Sequence, residues 1–442
     1  MSSAQSGKTF DVTNPSTGEV IATLPDLGRE EAARAIEAAN KAQKAWARRT
    51  AKERSNALRA LFDLLIANAR DLAVLLTAEM GKPVAEAEGE IRYGASYVEW
   101  FSEEARRVYG DTIPGHQADK RLTVIKQPVG VVAVITPWNF PNAMLARKLA
   151  PAIAAGCAMV SKPAAETPLS ALALARLAEL AGFPSGLFSV ITSTDTPSIG
   201  KEFTENATVR KLTFTGSTGV GKILMRQGAE NILKLGLELG GNAPFIVFDD
   251  ANLDAAVEGA MVAKFRNNGQ TCVCANRIYV QSSVYDAFAK KLAERVTALP
   301  VGDGFEPGVL IGPLIDRKAV AKVSEHIDDA VSRGGKVLVG GKPAAAGGLF
   351  FEPTLLTDVD LGSRVSREET FGPVAPLFKF DTEEQVIELA NNTEFGLAAY
   401  FFARDVSRVA RVSEQLEYGM VGINTGLIST EVAPFGGIKQ SG

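Results

Sequence analysis

Histidine is nearly absent: among 442 residues only His116 and His326 occur, and neither stands beside a cysteine or a glycine-rich segment. A Cys-His dyad therefore finds no support in the chain order. Cysteine is scarce too. Cys157, Cys272 and Cys274 are too few and too irregularly spaced for a disulfide framework, and no Cys/His cluster has zinc-site spacing, so no metal is expected. Such usage fits a reducing compartment, and a cytoplasmic location is expected. No apolar stretch reaches the ~18 residues of a membrane span, and residues 1–7 carry neither an apolar signal core nor an arginine-rich amphipathic pattern. An excess of one charge is also missing. The 47 basic and 51 acidic residues leave a formal charge of -4 without long single-sign runs, which argues against a nucleic-acid groove and a polybasic membrane patch.

What is present is apolar material, 46% of the chain, enough for a large core and at least two domains. Short β-rich runs alternate with alanine-rich stretches, the grammar of an α/β protein with largely parallel sheets. The run 130–136 (GVVAVIT) reads as a buried strand, 143–155 as a helix and 159–162 as the next strand. The unit then repeats, with a helix over 170–181 and strands over 187–191 and 209–215. A second series begins at 244–248, followed by a helix over 253–265 and another over 285–298. Between the early helices and the first sheet, 111–128 contains Pro114-Gly115 and reads as a protruding hairpin.

Two short segments carry the chemistry. One reads Asn267-Asn268-Gly269-Gln270-Thr271-Cys272-Val273-Cys274, the other Glu238-Leu239-Gly240-Gly241-Asn242-Ala243-Pro244. A thiolate is the strongest ordinary nucleophile near neutral pH and needs a separate proton acceptor. With histidine so scarce, Glu238 is the leading base. Alone, a cysteine is more often a buried hydrophobe and a glutamate before Gly-Gly more often a surface charge; their combination points to catalysis. Cys272 and Cys274, at i and i+2, are slightly too far apart for an unstrained disulfide in extended chain, whereas a bent loop closes the gap and makes the pair an oxidisable off-switch.

Strand 209–215 runs into Gly216-Ser217-Thr218-Gly219-Val220-Gly221, a glycine turn opening a helix, which suits a pyrophosphate and a plain tight turn alike. It misses GxGxxG by one placement, and with Ile223 after Lys222 it lacks the hydroxyl that a P-loop puts on magnesium. Asn139, in Pro137-Trp138-Asn139-Phe140-Pro141, follows a parallel strand at its C-terminal end, where an amide donates to an oxyanion or merely caps a turn. Lys162 ends the next strand, either reaching a ribose or phosphate or simply solvated.

Taken in order, ITPWNFP at 135–141, SKPA at 161–164, FTGSTGVG at 214–221, LELGGNAP at 237–244, GQTC at 269–272, EETFGP at 368–373 and PFGGIKQSG at 434–442 resemble the aldehyde dehydrogenase superfamily along the whole chain. KFRNNGQTCVCANR at 264–277 and GLISTEVAPFGG at 426–437 are similar to succinate-semialdehyde dehydrogenases. The resemblance implies two Rossmann-type α/β domains plus an oligomerisation hairpin. Residues 1–110 and 130–240 would hold the dinucleotide, 241–424 would form the catalytic domain, and 111–129 and 425–442 would be oligomerisation and arm segments. It implies that Cys272 attacks the aldehyde, that Asn139 and the Cys272 N–H hold the oxyanion, and that Glu238 activates the water that hydrolyses the thioester. Trp138, Lys162, Gly216, Ser217, Leu239 and Glu369 would touch the dinucleotide. Ala165, where NAD-preferring relatives often carry glutamate, removes a repulsion against a 2′-phosphate; the balance leans to NADP, with NAD use compatible. Arg147 and Arg266, assisted by Ser429, would grip the distal carboxylate of succinate semialdehyde. Glutarate semialdehyde or an aliphatic aldehyde is the rival substrate, and a silent dinucleotide-binding homologue the rival role, because the family pattern continues some tens of residues past Gly442. A homodimer or homotetramer is expected.

Overall fold

The β-branched run forms the strand Val131–Ile135, all five residues of which are buried. A parallel neighbour lies on each side, Ala158–Lys162 and Val209–Thr215, so no position needs to be polar. The computed structural model describes residues 4–442. In it this strand is the centre of a five-stranded parallel sheet, flanked on one side by Ala158–Lys162 and Phe188–Val190 and on the other by Val209–Thr215 and Lys234–Glu238. The chain moves outward in one direction, then returns to start the other half. The strand order therefore reverses between Val131–Ile135 and Val209–Thr215, and a crevice opens at their C-terminal ends, where Asn139 and Gly216 follow.

The second sheet has seven strands. Ala243–Val247 and Ala275–Gln281 lie side by side in its middle, with Val374–Phe380, Thr354–Thr357 and Lys336–Val339 beyond one and Ala398–Phe402 and Met420–Ile423 beyond the other. All neighbours are parallel except Lys336–Val339 against Thr354–Thr357. Its two faces are covered by separate apolar clusters, one containing Phe245, Phe288 and Tyr400, the other Ile246, Phe351 and Phe401. A third cluster is continuous from the helices Arg29–Trp46, Ala51–Ala67, Ala69–Met80 and Val84–Glu104 into the first sheet.

Helix ends follow local chemistry. Asn252 caps Leu253–Phe265 by accepting from the N–H groups of Asp254 and Ala255. Ser217 caps Thr218–Ala229, its hydroxyl accepting from Val220 N–H at 3.4 Å. Helix Ala143–Ala154 contains Pro151, which has no N–H for the carbonyl of Arg147 one turn earlier. Asp111–Ile113 pairs antiparallel with Leu122–Val124 as an exposed hairpin. Among the described residues no helix is long and apolar enough to cross a membrane.

Candidate active site

Leu253–Phe265 delivers the loop that carries Cys272 from the second sheet to the crevice of the first. Past Arg266 the chain turns sharply because Asn267 and Asn268 adopt left-handed backbone, with φ of 52° and 56°, a conformation asparagine tolerates better than most residues. Gln270 pins the turn: its Nε2 donates to Asn267 O at 3.3 Å, and its Oε1 accepts from Ile315 N–H at 3.0 Å. Cys272 emerges half-buried at the rim of a cavity of about 320 Å³ between the two sheets. Close packing of the glycine motif explains its composition. A Cβ at Gly241 would collide with the Cys272 carbonyl oxygen, so only glycine lets these segments meet.

The same cavity is lined by Asn139, Arg147, Arg266 and Ser429, and by Trp138, Gly216, Ser217, Leu239 and Glu369. Asn139 donates through Nδ2 to Gln270 O at 2.9 Å, which leaves the second amide hydrogen free. The Cys272 N–H makes no backbone hydrogen bond among the described residues. A thiol and two such donors in one cavity can receive a carbonyl group and hold the oxyanion that forms on it. Burial, reinforced by the Glu369 carboxylate and only partly offset by Arg147, pushes the Cys272 thiol up to about 12.

Four expected residues lie elsewhere. Glu238 ends the strand Lys234–Glu238 and lines an adjoining cavity of about 670 Å³, which shares Arg147 and Phe435 with the first. Its Oε2 is buried without a partner among the described residues, and burial raises its pKa against the pull of Lys148 and Arg147. Lys162 is buried under the first sheet's C-terminal edge, its Nζ donating to Pro163 O at 3.0 Å, and burial lowers it to about 8. Ala165 is half-buried in the loop that follows, beside the exposed Glu166. Cys274 is buried, its Sγ within 3.4 Å of Gly269 O and 3.6 Å of Lys264 O; like Cys157 and Cys272 it is a free thiol.

The crevice suits a polar nucleotide. The hydroxyls of Thr136, Ser161 and Thr215 are buried and, among the described residues, unpartnered at the C-terminal ends of three adjacent strands, close in sequence to Trp138, Lys162 and Gly216. The N-terminus of Thr218–Ala229 opens beside them. Lys222, the P-loop-like lysine, is already bonded to Gln440 Oε1 at 2.6 Å.

Glu369 is held by two hydrogen bonds. Its Oε1 accepts from Gly241 N–H at 3.1 Å, its backbone carbonyl accepts from Lys322 Nζ at 2.5 Å, and burial raises its carboxyl to about 7. Behind it, the buried His326 places Nδ1 3.1 Å from Thr370 Oγ1. Burial, helped by the charge of Lys322, lowers His326 from 6.5 to about 4. An unfolded chain therefore takes up this proton first, so the contribution of the neutral ring is complete above pH 6.5 and is lost as pH falls toward 4. A urea-denaturation series at stepped pH is expected to lose stability across that window, and His326→Gln to flatten the limb by up to about 3 kcal/mol.

Sequence reasoning missed Lys148 and the aromatic packing around Arg147. Lys148 Nζ donates to Thr213 Oγ1 at 2.9 Å in the cavity of Glu238, and burial lowers its amine. Arg147 Cζ lies 4.1 Å from the Phe435 ring centre and 5.2 Å from that of Tyr97, while Arg266 Cζ is 5.0 Å from that of Phe140. The spacing of Tyr93 and Tyr97 at i and i+4 was the available signal; in the structure their hydroxyls lie 3.1 Å apart.

The aldehyde dehydrogenase family model matches residues 1–442. This chain belongs to that family. The aldehyde dehydrogenase is 66% identical over 439 residues to a glutarate-semialdehyde dehydrogenase of Pseudomonas aeruginosa, covering 99% of this chain and 91% of that one. It is 63% identical over 439 residues to the NADP(+) succinate-semialdehyde dehydrogenase GabD of Escherichia coli, with the same coverage. The crystal structure of a succinate-semialdehyde dehydrogenase from Burkholderia pseudomallei superposes with a TM-score of 0.99 at 61% identity, covering 100% of this chain and 91% of that one. The expected α/β architecture with Rossmann-type domains agrees with that likeness.

Proposed function

We propose that this aldehyde dehydrogenase oxidises succinate semialdehyde to succinate. The observation that carries the reading is a pair of arginines. Arg147 and Arg266 line the cavity of Cys272, are only half-exposed, and have no carboxylate within 4.0 Å among the described residues. Aromatic rings hold both guanidiniums without neutralising them. A substrate with an aldehyde at one end and a carboxylate at the other satisfies thiol and cations together, the carboxylate accepting hydrogen bonds from the guanidiniums and from Ser429.

Chemistry follows from the same placement. The Cys272 thiol loses its proton to solvent and its sulfur bonds to the aldehyde carbon as the carbonyl π bond opens, and the resulting oxyanion is held by Asn139 Nδ2–H and the Cys272 N–H until the C=O re-forms on hydride loss. When bound, the dinucleotide supplies the acceptor for the hydride that leaves this carbon. Trp138, Lys162, Gly216, Ser217, Leu239 and Glu369 would hold it. A thioester then remains on Cys272, and Glu238 takes a proton from the water that hydrolyses it, returning the thiol and releasing the acid. Ala165 and the naming of NADP(+) in the Escherichia coli relative support NADP as the preferred dinucleotide, with NAD also used. We assign 1–110 and 130–240 to dinucleotide binding and 241–424 to catalysis, with the exposed hairpin 111–129 and the segment 425–442 serving a homodimer or homotetramer.

Glutarate semialdehyde is the second reading, favoured by the name of the Pseudomonas aeruginosa relative. One added methylene changes discrimination by about 1–3 kcal/mol, so both are expected to turn over. The deciding assay compares kcat/KM for the two semialdehydes and hexanal, with either dinucleotide. Arg266→Ala is expected to raise KM for the semialdehydes by roughly 10–100-fold, the loss of a charge-assisted contact, while changing that for hexanal by less than about threefold. Equal losses on all three substrates would remove Arg266 from the carboxylate site.

A further inference from the structure

Three charged side chains outside the cavity tie the two reacting loops together. Lys82 and Glu90 have side chains 0% and 1% exposed, and Lys82 Nζ donates to Glu90 Oε2 at 2.6 Å and to the backbone carbonyl of Asn139 at 2.7 Å. The other carboxylate oxygen, Oε1, accepts from the N–H groups of Asn142 and Ala143 at 3.0 and 3.2 Å, capping the helix that carries Arg147. One helical turn before Glu90, Glu86 Oε1 accepts from Asn267 N–H at 2.6 Å. That N–H belongs to the first of the two left-handed asparagines through which the chain reaches Cys272. The circuit then closes. Asn267 Nδ2 donates to Asn139 O at 2.9 Å and to Gln270 O at 3.2 Å, and Gln270 O also accepts from Asn139 Nδ2.

We propose that Lys82, Glu86 and Glu90 are positioning residues that hold the Asn139 carboxamide and the Cys272 turn in one register. None of the three lines the cavity, so they act only through the two loops. A buried ion pair contributes little net stability, because desolvation offsets the attraction. Its bonds here run to the backbone of the loop that carries Asn139, and Glu86 adds the bond to the other loop. Without Glu86 the Asn267 N–H loses its acceptor, and the strained turn loses one of the bonds that hold it. This inference rests on the roles proposed above for Cys272 and Asn139.

Glu86→Ala is the first test, since Lys82→Met would strand a buried Glu90 carboxylate and threaten folding. Three activities are compared in the full chain: semialdehyde oxidation, dinucleotide-independent hydrolysis of p-nitrophenyl acetate, and alkylation of Cys272 by iodoacetamide read by mass spectrometry. Glu86→Ala is expected to lower kcat for oxidation and ester hydrolysis by roughly 10–100-fold and to alter the alkylation rate, with KM values held within about twofold. Glu86→Gln, whose amide oxygen still accepts from Asn267 N–H, is expected to restore most of the rate. Unchanged kcat in Glu86→Ala would overturn the proposal, as would losses in both variants that merely track a fall in Tm. If the wild type oxidises no semialdehyde, the functional reading falls, and the ester and alkylation rates still decide the positioning role.

Discussion

Cys272→Ala is expected to lower kcat for aldehyde oxidation by at least about 10³-fold while the dinucleotide still binds. The magnitude follows from the step lost: without sulfur there is no covalent adduct to bring the aldehyde carbon to the hydride-donating stage, and the remaining donors only polarise the carbonyl. Binding should persist because the crevice is built from the first sheet, whereas Cys272 arrives on a loop of the second. Steady-state oxidation and a dinucleotide fluorescence titration check the two halves separately. Retained turnover would reject Cys272 as nucleophile. The thiol also carries a pH signature. With its pKa pushed up to about 12 by burial and by the Glu369 carboxylate, the thiolate fraction without cofactor is small, and it grows with each pH unit below that value. Alkylation by iodoacetamide should therefore still be accelerating at pH 9; a plateau near neutral pH would mean that another group already activates the sulfur.

Glu238→Gln is expected to separate the two chemical halves. The first turnover forms reduced dinucleotide in a burst, because attack and hydride loss precede hydrolysis, and the steady-state rate then falls by roughly 10²–10⁴-fold as the thioester persists. Rapid-quench mass spectrometry should find the acyl group on Cys272. A burst-free loss would place Glu238 in the first half-reaction instead. The pH dependence follows from burial. Glu238 sits above its ordinary 4.5, so its base form is present at higher pH and is lost as pH falls through the raised value, earlier than an exposed glutamate would lose it. Lys148, whose amine burial lowers in the same cavity, stabilises the carboxylate while it is charged. Lys148→Met should therefore shift the acid limb of the hydrolysis rate to higher pH.

Much of this was legible from residue order because the informative features are local. The run 130–136 is apolar and rich in β-branched residues (Val131, Val132, Val134, Ile135 and Thr136), which suits a strand buried on both faces, and it lies at the centre of its sheet. Gly240 and Gly241 announce a close approach of backbone, and the partner that needs the space is the Cys272 carbonyl. What stayed hidden depends on direction or on distant contacts. Lys148 follows Arg147 directly, yet neighbouring positions on a helix point about 100° apart, so one guanidinium serves both cavities while the ammonium reaches only that of Glu238. Nothing about Glu86, on a helix nearly two hundred residues before Cys272, hints that its carboxylate bonds the turn preceding the thiol.

By itself, the sequence determined the α/β class and the family, and it offered Cys272 and Glu238 as candidates through residue type and short-range order, whereas Arg147 and Arg266 entered as what the family resemblance implies. Only the tertiary structure decided that Glu238 occupies a chamber adjoining that of Cys272, that both arginines lack a carboxylate partner among the described residues, and that Lys82, Glu86 and Glu90 join two loops more than a hundred residues apart. These are facts about burial and about which groups remain unpaired. They are set by the packing of one sheet against another, which short-range order does not encode.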